Sequence, residues 1–124
     1  MESRKIFTAI IDVVSLLSAS QTIQNLVGDK IYPLINTDET DGDFIAYQRA
    51  GYQRLDTNMA TASKATFFMT VVSATYDRSL EIAEVVYNTL EGDHSQYDLR
   101  IKLVDYEEDY IDKKFVQILK FTLE

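Results

Sequence analysis

Carboxylates and tyrosines are the side chains through which this chain could do chemistry. Twenty Asp and Glu stand against twelve Lys and Arg, with one histidine and no cysteine. The carboxylates gather in two places. Asp38, Glu39, Asp41 and Asp43 supply hard oxygen atoms at alternating loop positions, an arrangement that suits calcium, although the spacing is not that of an EF-hand loop. Glu107, Glu108, Asp109 and Asp112 could pair as general acid and base, but such pairing needs a cleft that the sequence does not reveal. A solvated turn is the plain reading of a charge run of this kind. Without cysteine there are no disulfides, thiol nucleophiles, iron-sulfur clusters or cysteine zinc sites, and one histidine builds no cluster, so redox and most metal chemistry are excluded. His94 falls in Glu91-Gly92-Asp93-His94-Ser95, a polar segment after a helix, and reads as an ordinary exposed loop histidine rather than the base of a triad. Gly28, Gly42, Gly51 and Gly92 are each isolated, so neither a P-loop nor a dinucleotide fingerprint is present. No cofactor is implied.

Eight tyrosines and no tryptophan are the more informative aromatic signal. Tyr47, Tyr52, Tyr106 and Tyr110 fall at expected strand ends or turns, where they could form an interface or simply cover an open sheet edge. A net charge of −8 and a pI near 4.5 argue against gripping nucleic acid or an anionic membrane over a broad surface. The longest apolar run, Ile6 to Leu17, is broken by Thr8, Asp12 and Ser15, far short of the roughly 20 apolar residues of a membrane span. Arg4 and Lys5 before it and Ser18-Ala19-Ser20 after it imitate a signal peptide, but its amphipathic spacing argues for a retained helix.

The elements that must position these residues follow from periodicity. Ser3 is placed to cap a first helix with Ile6, Ile10, Val13, Val14 and Leu17 on its apolar stripe. Ser20 restarts a short helix through Ile23 and Leu26, which Gly28 closes. Lys30 to Ile35 is an expected strand whose Pro33 assigns it to a sheet edge or a strand end. A polar loop, Asn36 to Asp43, precedes the strand Phe44 to Tyr52, which alternates with mixed polarity on both faces. Gln53 to Ser63 has no period and reads as a long hairpin loop. Lys64 to Thr75 is apolar on both faces, as a central strand covered by helices would be. Tyr76 to Leu90 is an expected helix capped by Asp77, with Leu80, Ala83, Tyr87 and Leu90 buried. Asp98 to Asp105 and Phe115 to Leu123 alternate as strands, with the acidic stretch between them as a hairpin tip. The whole chain, residues 1–124, reads as one α+β domain: an antiparallel sheet of about four to five strands with two main helices packed on one face.

Ile31-Tyr32-Pro33-Leu34, then Ile45 and Tyr47-Gln48-Arg49, then Tyr76 leading to Ala83, Val86 and Leu90, follow in order and spacing a pattern across nearly all of the chain. This pattern resembles that of the small bacteriophage tail-completion proteins, also called tail-terminator or head-tail joining proteins. It departs in two places: Gly42-Asp43 stands where a proline often precedes the second strand, and Gln53 to Ser63 lacks the expected glycine. The resemblance implies a non-enzymatic structural protein of the virion tail, present in the host cytoplasm during assembly. It also implies a ring of identical subunits, expected to be a hexamer, that caps the tail tube protein and meets the head-tail connector protein. DNA would pass through such a ring without specific binding, and no membrane is involved. Tyr47, Arg49, Tyr52, Arg54, Met59, Tyr106, Glu107, Glu108, Asp109 and Tyr110 are the candidate interface residues. Two other classes compete with this reading: a small acidic carboxylate- or metal-dependent hydrolase using Asp38 to Asp43 or Glu107 to Asp112, and a host protein-binding module.

Overall fold

The computed structural model describes residues 7–33, 42–56 and 61–123, and for residues 52–56 and 61–64 the backbone alone. Three helices and six strands alternate as α1 (Ala9–Ser18), α2 (Gln21–Val27), β1 (Ile31–Pro33), β2 (Phe44–Asp56), β3 (Thr61–Ser73), α3 (Tyr76–Leu90), β4 (Gly92–His94), β5 (Leu99–Ile111) and β6 (Lys114–Leu123). The strands form one curled sheet in the order β1-β2-β3-β6-β5-β4, antiparallel throughout except for the parallel pair β1–β2. The class is the expected α+β, but the sheet has six strands rather than four or five. The additional strand, β4, is three residues of Gly-Asp-His, too short and too polar to leave a pattern; its place is set by the end of α3 and by pairing with Leu99 to Ile101.

Helix α1 buries Ala9, Val13 and Leu17, one residue per turn, while Ile11 points outward. It starts after Thr8, and the expected Ser3 cap lies outside the described residues. Helix α2 opens as expected: the Ile23 N–H donates to Ser20 Oγ at 3.3 Å, and Gly28 at φ 63° closes the helix in the left-handed region that a side chain would strain. The two helices meet at 82°, and no single helix among the described residues is long and apolar enough to cross a membrane. Pro33 sits in the edge strand β1, where its missing N–H costs no ladder bond.

Helix α3 occupies the expected span but turns a different face inward. It buries Ser79, Ile82, Ala83, Val86 and Leu90, whereas Leu80 and Tyr87 are 36% and 38% exposed. Choosing the stripe by side-chain size brought in two large residues that lie one position off the true face. The sheet accepts the small Ser79 because Gln117 of β6 reaches it, with Nε2 donating to Ser79 Oγ at 3.1 Å. Nor does Asp77 cap the helix; Thr75 holds the N-cap position, and Asp77 lies in the first turn, where its charge favours the helix dipole.

All three helices lie against one face of the sheet. The main core joins Val13, Leu17, Ile23, Ile82, Val86 and Leu90 to Ile45, Phe67, Met69, Val71, Ile101, Leu119 and Phe121. The sheet curls around a smaller cluster on its other face, Phe44, Ala46, Val72 and Val116, with Tyr32 of β1 against Phe44 at 6.2 Å. Strand β3 is therefore buried on both faces from Met69 to Ser73, as its composition predicted.

Candidate assembly surface

The acidic stretch expected at a hairpin tip is strand. Strand β5 continues through Ile111, and only Asp112 and Lys113 make the turn, both left-handed at φ 52° and 66°. That is the geometry of a two-residue hairpin of the primed type, which Asp adopts more readily than most residues. Strand β5 bulges between Leu103 and Asp105, so alternation changes phase there. Beyond the bulge, Tyr106, Glu108 and Tyr110 pair with Leu119, Gln117 and Phe115 and share the helix-bearing face. Asp105, Glu107 and Asp109 lie on the opposite face, exposed. Alternation thus splits the carboxylates that sequence proximity grouped. Among the described residues, no cluster of three or more Asp, Glu, His or Cys is placed to hold a metal ion.

The helix-side row is a hydrogen-bonded network centred on Glu108. The Tyr76 hydroxyl, from the first residue of α3, donates to Glu108 at 2.9 Å from Oε1 and 3.2 Å from Oε2. The Tyr106 hydroxyl lies between Glu108 Oε1, at 2.7 Å, and Gln117 Oε1. Gln117, buried among apolar neighbours, passes the chain on to Ser79 Oγ, which in turn donates to the Tyr76 carbonyl at 2.7 Å. Phe115 packs against both exposed rings, 5.6 Å from Tyr76 and 4.8 Å from Tyr110. Partial burial and the bond to Glu108 push the Tyr106 hydroxyl up to about 12, and Glu108 raises Tyr76 in the same way. Both phenols are therefore protonated donors at any physiological pH, which suits a fixed polar scaffold and not an ionised nucleophile.

The sequence missed Tyr76, Ser79, Phe115 and Gln117 as parts of this surface. Gln117 carried a usable signal: it is the polar residue in the inward phase of β6, between Phe115 and Leu119. A polar group in such a position needs a partner.

The other expected interface residues lie on β2. This strand runs to Asp56 and β3 starts at Thr61, so Gln53 to Ser63 is mostly paired strand and not a long loop. Burial of one face is what produces a hydrophobic period, and backbone pairing can continue without one. Tyr47 is half-buried against the main core. Arg49 is exposed, its guanidinium 5.2 Å from the centre of the Phe7 ring, at the rim of a shallow cavity of about 350 Å³ that also touches Ile10, Thr66 and Leu123. Tyr52 and Arg54 follow a bulge between Arg49 and Gly51, on a stretch whose side chains are outside the description. Met59, and Asp38, Glu39 and Asp41 of the calcium reading, lie outside the described residues altogether. Asp43 is engaged otherwise: it accepts from Ser73 Oγ at 2.8 Å and from Arg78 Nε at 3.2 Å. His94 is half-buried in β4 rather than in an exposed loop, with Nε2 2.7 Å from the Leu90 carbonyl at the end of α3.

No protein-family model and no curated protein matches this chain. Among solved structures, a chain from the virion of a native gene transfer agent (GTA) particle matches it with a TM-score of 0.72. The match covers 98% of this chain and 98% of that one, at 16% sequence identity, a likeness of fold from end to end.

Proposed function

We propose that this chain is a non-enzymatic structural component of a phage-type particle, one that completes the tail tube and joins it to the head connector as a ring of identical subunits. The observation that carries the reading is the likeness of fold to a chain from a virion particle, with 98% of each chain inside the match. The order of Ile31-Tyr32-Pro33-Leu34, Tyr47-Gln48-Arg49 and the Tyr76 helix in the sequence supports the same role. Charge is compatible with it: −8 per subunit, repeated around a ring, repels a DNA duplex passing through the opening. The Glu108 network also fits a docking platform better than a reaction centre, because its tyrosines stay protonated and its aromatic rings lie at the surface.

Electron microscopy of the purified protein, alone and mixed with tail tubes, tests the proposal. The expected result is a ring seated on one end of the tube, with six subunits. Tubes left bare at both ends, together with protein that stays dispersed, would overturn it.

A further inference from the structure

The outer edge of β5 is finished by side chains instead of by a strand. Strand β4 pairs with Leu99 to Ile101 only, and among the described residues no strand lies beside β5 from Lys102 to Ile111 on that side. The Asp112–Lys113 turn closes on the Ile111–Lys114 pair, which directs the N–H groups of Tyr106, Glu108 and Tyr110 outward. Carboxylates occupy the edge. Glu91 Oε1 accepts from the Leu103 N–H at 2.7 Å, Asp105 Oδ1 from the Tyr106 N–H at 2.8 Å, and Asp109 Oδ1 from the Tyr110 N–H at 2.8 Å. Charged side chains over a long edge are a known guard against indiscriminate strand pairing. Covers like these are exposed and displaceable, so the edge remains available to a partner of the right charge.

This chain carries such a partner at the other end of its own sheet. Strand β1 pairs with Ile45 to Tyr47, and among the described residues no strand lies beside β2 from Gln48 to Asp56 on that side, although the Phe7 ring packs on Arg49. The β2 segment holds Arg49 and Arg54 against one aspartate, and the β5 segment holds four carboxylates against one lysine. Pairing β5 with β5, or β2 with β2, would oppose like charges, whereas β5 with β2 opposes unlike ones. The directions agree as well. Within one copy β2 and β5 run antiparallel, so two copies in the same orientation, displaced along the strands because Gln48 is level with Asp105 and the two open stretches run to opposite ends of the sheet, present an antiparallel pair with all helices on one side. Across that seam Arg49 would share the helix-bearing face with Tyr106, Glu108 and Tyr110, since Arg49 is in register with Phe67 on the inward phase of β3.

We propose that the outer edge of β5, Leu103 to Ile111, pairs with the outer edge of β2, Gln48 to Asp56, in a second copy of this chain, head to tail. The contact is heterologous, so it closes into a ring when the rotation between copies allows. It rests on the ring proposed above and names the seam between subunits.

Two charge-reversed variants test it under conditions where the native protein forms rings, alone or on tail tubes. One carries Glu108→Lys, the other Arg49→Glu. Each alone opposes like charges at every seam and should lose ring formation by at least about tenfold. An equimolar mixture opposes unlike charges at every seam of an alternating ring and should restore it. The native protein supplies a check free of mutation: amide exchange at residues 103–111 and 48–56 should slow on ring formation. Rings that form equally well from either variant, or exchange at these edges unchanged between monomer and ring, would overturn the seam and leave the ring standing. A native protein that forms no ring under either condition would overturn both.

Discussion

The packing around α3 and the β5–β6 hairpin are held by different means. At α3, Ile82, Val86 and Leu90 are wholly buried against Met69, Val71, Leu119 and Phe121, and the fold there is a matter of apolar area removed from water. At the far half of β5, from Asp105 to Ile111, every residue is exposed, and what holds the strand is the ladder to β6 with the hydroxyl and carboxylate bonds around Glu108. These buried side chains of the first region stabilise the molecule and do not reach its surface. The second contributes little to the core and presents aromatic rings, carboxylates and outward N–H groups. That division predicts that substitutions should separate stability from assembly according to region.

The largest effect should come from α3. Leu90→Ala empties a fully buried site and should lower the unfolding free energy by about 2 to 5 kcal/mol. Leu80→Ala, one position off the buried face and 36% exposed, should cost less than about 1 kcal/mol. Denaturant unfolding of the two variants checks both. Equal losses would erase the distinction between the faces of α3, and with it the contrast between the two regions.

The same contrast explains how much of this structure was legible in the sequence. Tyr76 to Leu90 and the central run around Met69 to Ser73 were legible because burial imposes a period, 3.6 for the helix and continuous apolarity for the two-sided strand. The ends of β2, β3 and β5 were not, because Gln53 to Asp56, Thr61 to Ser63 and Asp105 to Tyr110 are ordered by backbone pairing, which leaves no compositional trace. An acidic run and a polar run without period both look like turns. The inward face of α3 was misjudged for a related reason: Ser79 faces the core only because Gln117 arrives from β6, thirty-eight residues later, to meet its hydroxyl. The sequence grouped Tyr106, Glu107, Glu108, Asp109 and Tyr110 in one expected interface, and the structure sets Tyr106, Glu108 and Tyr110 on one face of β5 and Glu107 and Asp109 on the other. Sequence alone could not make that separation, because it needs the phase set by the Val104 bulge.

A smaller effect should appear at alkaline pH. Tyr106 is protonated in the folded state up to about 12, above the ordinary phenol value of 10.0 that it regains on unfolding. A raised folded value means that the unfolded chain gives up the proton first as pH rises. The contribution to stability is therefore complete below about 10 and is lost progressively as pH climbs to about 12. Tyr106→Phe removes the titrating group, so its stability should fall less steeply across that window than that of the native protein. Melting temperatures taken at intervals between the two values check the slope. Parallel curves would show that burial and the bond to Glu108 do not hold the proton in solution.

The smallest expected effect is the most discriminating for the β5 surface, because it compares two adjacent residues of the same charge. Glu107 lies on the face away from the helices and Glu108 on the helix-bearing face, where it accepts from two phenols. Replacing Glu107 by Gln removes a solvated charge and should leave the unfolding free energy within about 0.5 kcal/mol of the native value. Glu108→Gln keeps the shape but turns a charged acceptor of two hydroxyls into a neutral amide with one acceptor oxygen. It should cost about 0.5 to 1.5 kcal/mol, the scale of a net hydrogen bond. Chemical denaturation resolves a difference of that size when both variants are measured against the same native baseline. If the stretch were a solvated turn, the two substitutions would be indistinguishable. If it is a strand with two faces, Glu108 alone registers in stability, because only its carboxylate is tied through Tyr76 to α3 and through Tyr106 to the buried Gln117.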